Sequence, residues 1–160
     1  MRRLKVLTLT DQLVYLGGGA ERVAMEIAMR LDQTRFESLF CASRYWGGAR
    51  SELVQDAERR MEEAGVRYFG LGRRTATDLY RWLALRGLLR SEQVDVVHPH
   101  KFGSNVWGTV VGRLARVPVI VAHEHTWSYE GQPLRKLADR LVIARGSSRS
   151  WRSRGRTSGA

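Results

Sequence analysis

"YLGGGAERVAMEIAMRL", residues 15–31, joins three glycines to a segment with the apolar spacing of an α-helix. The glycines follow an apolar, strand-like run at the start of the chain. The free N–H groups and the dipole of a helix N-terminus favour a negative charge by about 0.3–1 kcal/mol, and by about twice that when partly buried. Because glycines carry no side chain, a phosphate can approach their backbone closely. We interpret Gly17, Gly18 and Gly19 as an anion site, and a turn that merely needs positive φ is the alternative.

The same order of strand and helix recurs along the chain. Five short apolar runs rich in β-branched residues predict strands covered on both faces: Leu4–Thr10, Phe36–Ala42, Val66–Leu71, Val94–His98 and Pro118–His123. Between them, the first helix has a buried stripe of Val23, Ile27 and Leu31 with Ala24 and Ala28 beside them. Four more helices are predicted at Ser51–Ala64, Asp78–Glu92, Ser104–Arg116 and Gln132–Arg145. Strict alternation predicts an α/β fold, a doubly wound parallel sheet with helices on both faces.

Composition narrows the class of protein. The chain has 160 residues, 43% hydrophobic and 27% charged, as in a soluble globular domain. Its longest apolar run, Val117–Ala122, is far shorter than the ~20 residues of a membrane span. Cys41 is the only cysteine, which excludes an internal disulfide and favours the cytoplasm. The net charge of +11 is not concentrated in a patch with interleaved aromatic residues, so we expect no nucleic-acid partner.

The end of the chain differs from the rest. "GSSRSWRSRGRTSGA", from Gly146 onward, is nearly all serine, arginine and glycine without apolar spacing. This composition predicts disorder and no sixth strand. We therefore divide the chain into a doubly wound domain, residues 1–146, and a disordered tail, residues 147–160.

All four histidines follow the fourth and fifth predicted strands, in the pairs His98 and His100, and His123 and His125. Ligands of open parallel sheets bind beyond the carboxyl ends of the strands, where the strand order reverses. Polar-substrate binding, a zinc site and structural histidines are all compatible with this pattern. No aspartate pair or cysteine completes a familiar metal set, and Glu124 would point the opposite way, so we expect no metal.

One helix is amphipathic and basic. In "LYRWLALRGLLR", one face can hold Leu79, Trp82, Leu83 and Leu89. Arg81 and Arg90 lie elsewhere. This spacing is typical of a core face. Contact with an anionic membrane is the alternative.

Four motifs in this order, "VLTLTD", "GGGAERVAMEIAMRL", "DVVHPHKFGSNVWG" and "PVIVAHEHTWS", resemble the N-terminal half of a family 4 (group 1) glycosyltransferase. The resemblance implies one half of a GT-B architecture, a Rossmann-like domain with strand order 3-2-1-4-5. It implies retaining transfer of a sugar from a nucleotide-sugar donor to a saccharide, lipid or small-molecule acceptor, with no cofactor. A cytoplasmic location follows, with peripheral contact at the inner face of an anionic membrane as a further expectation.

The resemblance also implies roles for individual residues. Gly18 and Gly19 would lie against the donor diphosphate, and His125 would contact the donor sugar at the reaction centre. The residues implied on the acceptor side are Glu21, His98, His100, Lys101 and Asn105. The family's second domain, which grips the nucleotide, has no counterpart in these residues. We therefore expect an enzyme truncated or frameshifted after about residue 146 and inactive alone. The alternatives are a non-enzymatic binding domain for phosphorylated or lipid-linked sugars and a histidine-dependent metallohydrolase.

Overall fold

The computed structural model of the chain describes residues 2–16, 18–45, 51–75, 78–125, 132–146 and 148–152. The strands in these ranges are β1 (Leu4–Thr10), β2 (Phe36–Ala42), β3 (Arg67–Gly70), β4 (Val96–Pro99), β5 (Val119–Glu124) and β6 (Arg149–Arg152). The α-helices are α1 (Gly19–Arg30), α2 (Glu52–Glu63), α3 (Arg81–Ser91), α4 (Phe102–Ala115), α5 (Pro133–Ala138) and α6 (Ala144–Gly146), and a π-helical segment (Asp139–Ile143) joins the last two. In these ranges, no helix combines the length and the apolar character that a bilayer crossing needs.

The six strands form one sheet in the order β3-β2-β1-β4-β5-β6. Every pairing between these described strands is parallel. In the centre of the sheet, Leu7 of β1 lies beside Leu39 of β2 and Val97 of β4, and all three side chains are fully buried. The predicted doubly wound fold and the order 3-2-1-4-5 are confirmed.

β6 is a correction to the sequence prediction, which expected no sixth strand. Val121 of β5 pairs with Arg149 of β6. Just before β6, the backbone N–H of Ser148 donates to the carbonyl of Ile120 at 2.7 Å. A polar segment can pair here because the free edge of β5 offers backbone groups, whose bonding does not require an apolar side-chain pattern. Residues 147 and 153–160 of the predicted tail lie outside the described residues, so the division at residue 146 stays a prediction.

Apolar side chains pack on both faces of the sheet. One cluster contains Leu7, Leu9, Trp82, Leu85 and Val111, and so places α3 and α4 on one face. The other contains Ala24, Met25, Phe40, Ala57 and Met61, and so places α1 and α2 on the opposite face. The connections after β1 and β2 therefore leave the sheet on one side, and those after β3 and β4 leave it on the other.

The buried face of α1 agrees only in part with the predicted one. Ala24 and Ala28, which the prediction placed in the buried stripe, are buried against the sheet together with Met25. Val23 is 40% exposed, and Ile27 and Leu31 are half-buried. Small alanines let the helix lie close to the strands, and the larger β-branched residues then lie to the side of the contact.

The apolar residues of α3 and of the turn before it divide between two faces. Trp82, Leu85 and Leu89 are buried, in agreement with the predicted core face. Leu79 and Leu83, which the prediction grouped with Trp82, are 50% and 68% exposed. The segment therefore has a core face and a separate exposed apolar surface at its beginning.

Two glycines set the position of α4. A Cβ on Gly108 would lie 2.9 Å from Pro99 Cβ and 3.1 Å from Leu9 Cδ2, and one on Gly112 would lie 3.0 Å from Ile120 Cδ1. These distances leave no room for a side chain, so the helix packs directly on β1, β4 and β5. This packing holds the N-terminus of α4 beside the carboxyl ends of those strands.

Candidate functional site

The candidate site lies where the strand order reverses. β1 pairs with β2 on one side and with β4 on the other. The chain passes from β1 to α1 on one face of the sheet and from β4 to α4 on the other face. Such a divergence opens a crevice beyond the carboxyl ends of the strands. The predicted site residues follow β1, β4 and β5 and meet at this crevice.

The carboxylate of Glu21 occupies the space that a side chain at Gly18 would need. Its backbone is extended, with φ of −177° and ψ of 143°, and it precedes the first turn of α1. A Cβ on Gly18 would lie 2.6 Å from Glu21 Oε2, whereas one on Gly19 would meet nothing within 4 Å. Neither glycine has a positive φ, so the alternative of a turn that needs positive φ is wrong for these two residues. Gly17 lies outside the described residues.

A cavity of about 320 Å³ adjoins the start of α1. Its lining residues are Tyr15, Leu16, Gly18, Gly19 and Arg22. The guanidinium of Arg22 lies 5.3 Å from the centre of the Tyr15 ring. Sequence reasoning missed Arg22, although its place in the first turn of the predicted helix was a usable signal. The cavity combines a helix N-terminus with a fixed cation, and both favour an anion.

A partly buried ion pair connects the first turn of α1 with the loop after β4. Lys101 Nζ lies 2.7 Å from Glu21 Oε1, with side-chain exposures of 39% and 5%. A carboxylate as buried as Glu21 needs a cationic partner, because an unpaired buried charge is strongly unfavourable. Glu21 therefore has a structural partner across the crevice in Lys101.

The backbone of Lys101 is strained. Its φ of 69° and ψ of 156° fall in a region that residues other than glycine rarely adopt, at a cost of about 1–3 kcal/mol. Two hydrogen bonds hold it there. Its N–H donates to the carbonyl of His123 at 3.1 Å, and its carbonyl accepts from the N–H of Asn105 at 2.8 Å. Strain of this kind clusters at functional sites.

The four histidines form one group of imidazole rings, the histidine cluster (His98, His100, His123 and His125). The ring of His100 lies at its centre, 4.2 Å from that of His98, 4.8 Å from that of His123 and 5.2 Å from that of His125. His100 Nδ1 lies 2.9 Å from His125 Nε2, within hydrogen-bonding distance. The two H-x-H segments thus meet, as parallel strands with adjacent carboxyl ends require.

Burial keeps the histidine cluster neutral. It lowers the pKa of His98 to about 4, and it also lowers the pKa of His100. The pKa values of His123 and His125 are lowered chiefly by burial, and the neighbouring Glu124 carboxylate opposes this. A neutral imidazole has one donor and one acceptor nitrogen, so near pH 7 the cluster can exchange hydrogen bonds with the hydroxyl groups of a polar ligand.

Asn105 and Glu124 lie beneath the cluster. Asn105 is fully buried, and its Nδ2 donates to the His123 carbonyl at 3.1 Å and to Glu124 Oε2 at 3.4 Å. The other carboxylate oxygen of Glu124 accepts from the His125 N–H at 3.0 Å. These bonds fix the end of β5 and the backbone of His125.

A second polar group that sequence reasoning missed lies nearby. Asp11 Oδ1 accepts from Ser43 Oγ at 3.3 Å and from Ser104 Oγ at 3.4 Å. Ser43 Oγ also accepts from the buried Arg73 at 3.3 Å, and this guanidinium lies 4.7 Å from the centre of the Trp82 ring. The signal was the placement of Asp11 and Ser43 directly after β1 and β2, and of Arg73 shortly after β3. The hydrogen bonds between them connect the ends of these strands.

These features define a Rossmann-like α/β domain with a polar crevice at the point where its strand order reverses. The chain belongs to Glycosyltransferase Family 4, whose family model matches residues 17–153. The family that the sequence resembles is thereby confirmed.

A curated relative supports this membership. Over 121 residues the chain is 27% identical to the Escherichia coli UDP-Gal:alpha-D-GlcNAc-diphosphoundecaprenol alpha-1,3-galactosyltransferase. The match covers 74% of this chain and 30% of that protein. The chain therefore spans less than a third of that relative's length.

Solved structures share the fold. Anabaena Alr3699/HepE in complex with UDP is similar with a TM-score of 0.64 and 18% identity, over 92% of this chain and 37% of that one. Acinetobacter baumannii MurG is similar with a TM-score of 0.62 and 13% identity, over 98% of this chain and 43% of that one. Neisseria meningitidis UDP-GlcNAc 2-epimerase bound to UDP-GlcNAc is similar with a TM-score of 0.54 and 14% identity, over 87% of this chain and 39% of that one. With the family membership, the likeness to HepE and MurG confirms the predicted Rossmann-like half of a GT-B architecture.

Proposed function

We propose that the chain is the acceptor-side part of a retaining glycosyltransferase, which transfers a sugar from a nucleotide-sugar donor to a saccharide, lipid or small-molecule acceptor. The observation that carries this proposal is the meeting of the start of α1, the Glu21–Lys101 pair and the histidine cluster at one crevice. The E. coli relative is named for a UDP-Gal donor and a diphosphoundecaprenol-linked acceptor, and HepE was solved with UDP. These names support a UDP-sugar donor and a lipid-linked saccharide acceptor.

On the donor side, Gly18 and Gly19 bind the donor diphosphate. The free N–H groups at the start of α1 donate to its oxygens, and Arg22, beside the same cavity, balances part of its charge. These groups also stabilise the negative charge that grows on the leaving diphosphate. No cofactor or metal is required for this role.

On the acceptor side, His98 and Lys101 bind the acceptor, and Glu21 orients Lys101 through the ion pair. His100 and Asn105 are fully buried, so they act as positioning residues. His100 holds the ring of His125, and Asn105 holds the end of β5.

His125 is the residue proposed to touch the reacting sugar. In a front-face transfer the acceptor hydroxyl arrives on the side from which the diphosphate leaves, so the orientation of the sugar is critical. The half-buried, neutral imidazole of His125 binds one sugar hydroxyl and supports the positive charge that develops at the anomeric carbon. Its bond to His100 fixes the ring plane for this contact.

The proposal includes where the chain acts and what it needs. Because it spans 30% of the galactosyltransferase, we propose that the 160 residues do not transfer sugar alone. We place the enzyme in the cytoplasm, in peripheral contact with an anionic membrane. Leu79, Tyr80 and Leu83 are 50%, 62% and 68% exposed beside the cation of Arg81, as a membrane-contact surface requires. Cosedimentation with phosphatidylglycerol vesicles, but not with phosphatidylcholine vesicles, tests this contact.

The decisive test of the transfer proposal uses a longer chain in which a donor-binding domain follows residue 146. His125→Ala should lower turnover by about 100-fold, because a positioning contact at the reacting centre is lost. His98→Ala should impair acceptor use more than donor hydrolysis. Glu63→Gln, an exposed change on α2, is the control. Near-normal turnover of His125→Ala with an unchanged circular dichroism spectrum would refute the assignment.

The glycines can be tested on the 160-residue chain itself. Gly19→Ala adds a methyl group that meets no protein atom within 4 Å, so the free energy of unfolding should not fall. The methyl group does obstruct a diphosphate approaching the backbone, so the affinity for UDP, measured by calorimetry, should fall. Unchanged UDP affinity would contradict the proposed role of Gly19.

A further inference from the structure

We propose that His98, His100 and His123 form a binding site for a divalent transition metal ion of the zinc class. Each residue can offer one ring nitrogen, and the three nitrogens lie within 4.8 Å of one another. Imidazole nitrogens are preferred ligands of Zn²⁺, Cu²⁺ and Ni²⁺. The sugar transfer proposed above needs no such ion, so this binding is a separate property of the same loops.

Metal binding requires the three histidine side chains to move slightly closer together. In a tetrahedral zinc site with Zn–N distances near 2.0–2.1 Å, two ligand nitrogens lie about 3.4 Å apart. The three nitrogens here must therefore close by at most about 1.4 Å, which rotation of the side chains can supply. His98 and His123 are both partly exposed, which gives an ion a path from solvent and gives their rings room to rotate.

His100 is the anchoring ligand. Its side chain is fully buried and its Nδ1 is engaged with His125 Nε2 at 2.9 Å. Its Nε2 is buried without a hydrogen-bond partner among the described residues. When Nδ1 carries the proton and donates it to His125, Nε2 presents a lone pair. A metal ion would satisfy this atom, and His125 would be the outer partner that fixes the tautomer.

The composition of the site narrows the ion. Glu124, the nearest carboxylate in sequence, has its oxygens directed at Asn105 and at the N–H of His125. The ligand set is therefore three neutral nitrogens, a set that favours zinc-class ions over Mg²⁺ or Ca²⁺. Three protein ligands leave a fourth position for water.

The test measures metal binding by the tag-free 160-residue chain after treatment with a chelator. We expect one Zn²⁺ per chain in a competition titration with a chromophoric chelator, and with Co²⁺ the visible absorption of a tetrahedral site. Mg²⁺ should not compete. Because no sugar substrate takes part, a negative result would leave the proposed transfer untouched, and a failed transfer assay would leave this site untouched.

Four variants distinguish the proposed metal ligands from the neighbouring His125. Each variant is checked for folding by circular dichroism. His98→Gln and His123→Gln should abolish stoichiometric binding. His125→Gln is the matched control, since its amide oxygen can still accept the proton of His100, and it should retain one Zn²⁺ per chain. His125→Ala should weaken binding by about 10–100-fold, as loss of an outer partner does. Absence of stoichiometric binding in the parent chain, or equal loss in all four variants, would overturn the proposal.

Discussion

Replacing Lys101 by methionine tests the ion pair that connects the loop after β4 with Glu21 of α1. The substitution keeps the length of the side chain and leaves the Glu21 carboxylate, 5% exposed, without its cation. Removing one partner of a fully buried pair costs about 3–5 kcal/mol, whereas an exposed pair contributes about 0.2–1 kcal/mol. Lys101 is 39% exposed, so we expect an intermediate loss of about 2 kcal/mol in the free energy of unfolding. In a chain of this size that loss lowers Tm by about 4–8 °C.

The assay is urea unfolding followed by circular dichroism, for Lys101→Met, Glu21→Gln and the double variant. Glu21→Gln should cost less, because the lysine left behind can be hydrated. The double variant should be more stable than the sum of the two single effects indicates, by about 1 kcal/mol. Lys136→Met, at an exposed position of α5, should change stability by less than about 0.5 kcal/mol. If the two single effects add within about 0.3 kcal/mol, the pair is not coupled and the reasoning fails.

Lys101→Gly separates the ion pair from the backbone strain. It removes the same charge but also relieves a conformation that costs about 1–3 kcal/mol for a residue with a side chain. It should therefore destabilise the protein less than Lys101→Met, by about 1 kcal/mol after the greater chain entropy of glycine is counted. A glycine variant less stable than the methionine variant would argue against strain at this position.

Other predictions concern packing, the buried thiol and the end of the chain. Gly108→Ala should lower the free energy of unfolding by about 1–3 kcal/mol because the helix lies against the sheet there, whereas Gly103→Ala, on the open side of the same helix, should not lower it. Burial raises the pKa of Cys41 to about 12, so Ellman's reagent at pH 8 should label it only as the chain unfolds; labelling at the rate of a free thiol would contradict this. A chain ending at Gly146 should still melt cooperatively, within a few degrees of one ending at Arg152, because both core clusters precede it; non-cooperative melting would refute this.

Much of the fold could be predicted because its signals are local. β1 and β2 have the predicted bounds, since each is an apolar run that is flanked by polar residues on both sides. Ser51 caps α2 through a bond from the Val54 N–H, and Gly65 follows α2 with φ of +66°, as their positions predicted. The exposure of Val23 on α1 could not be predicted in this way, because it depends on how closely the helix approaches the sheet.

The site was predictable in position but not in detail. Parallel strands bring their carboxyl ends to one edge, so the meeting of the histidine pairs followed from the strand order. The partner of Glu21 could not be predicted, because it depends on the rare backbone conformation of Lys101, which no residue pattern indicates. The complete burial of His100 could not be predicted either, because it results from rings contributed by two different strands.

β6 also affects how the protein behaves at high concentration. An uncovered strand edge offers unpaired N–H and C=O groups on which a second molecule can add a strand and start aggregation. β5, with its apolar sequence Val119–Ala122, would be such an edge. β6 takes up the hydrogen bonds of this edge of β5. A second molecule therefore cannot add a strand directly to β5 while β6 is in place.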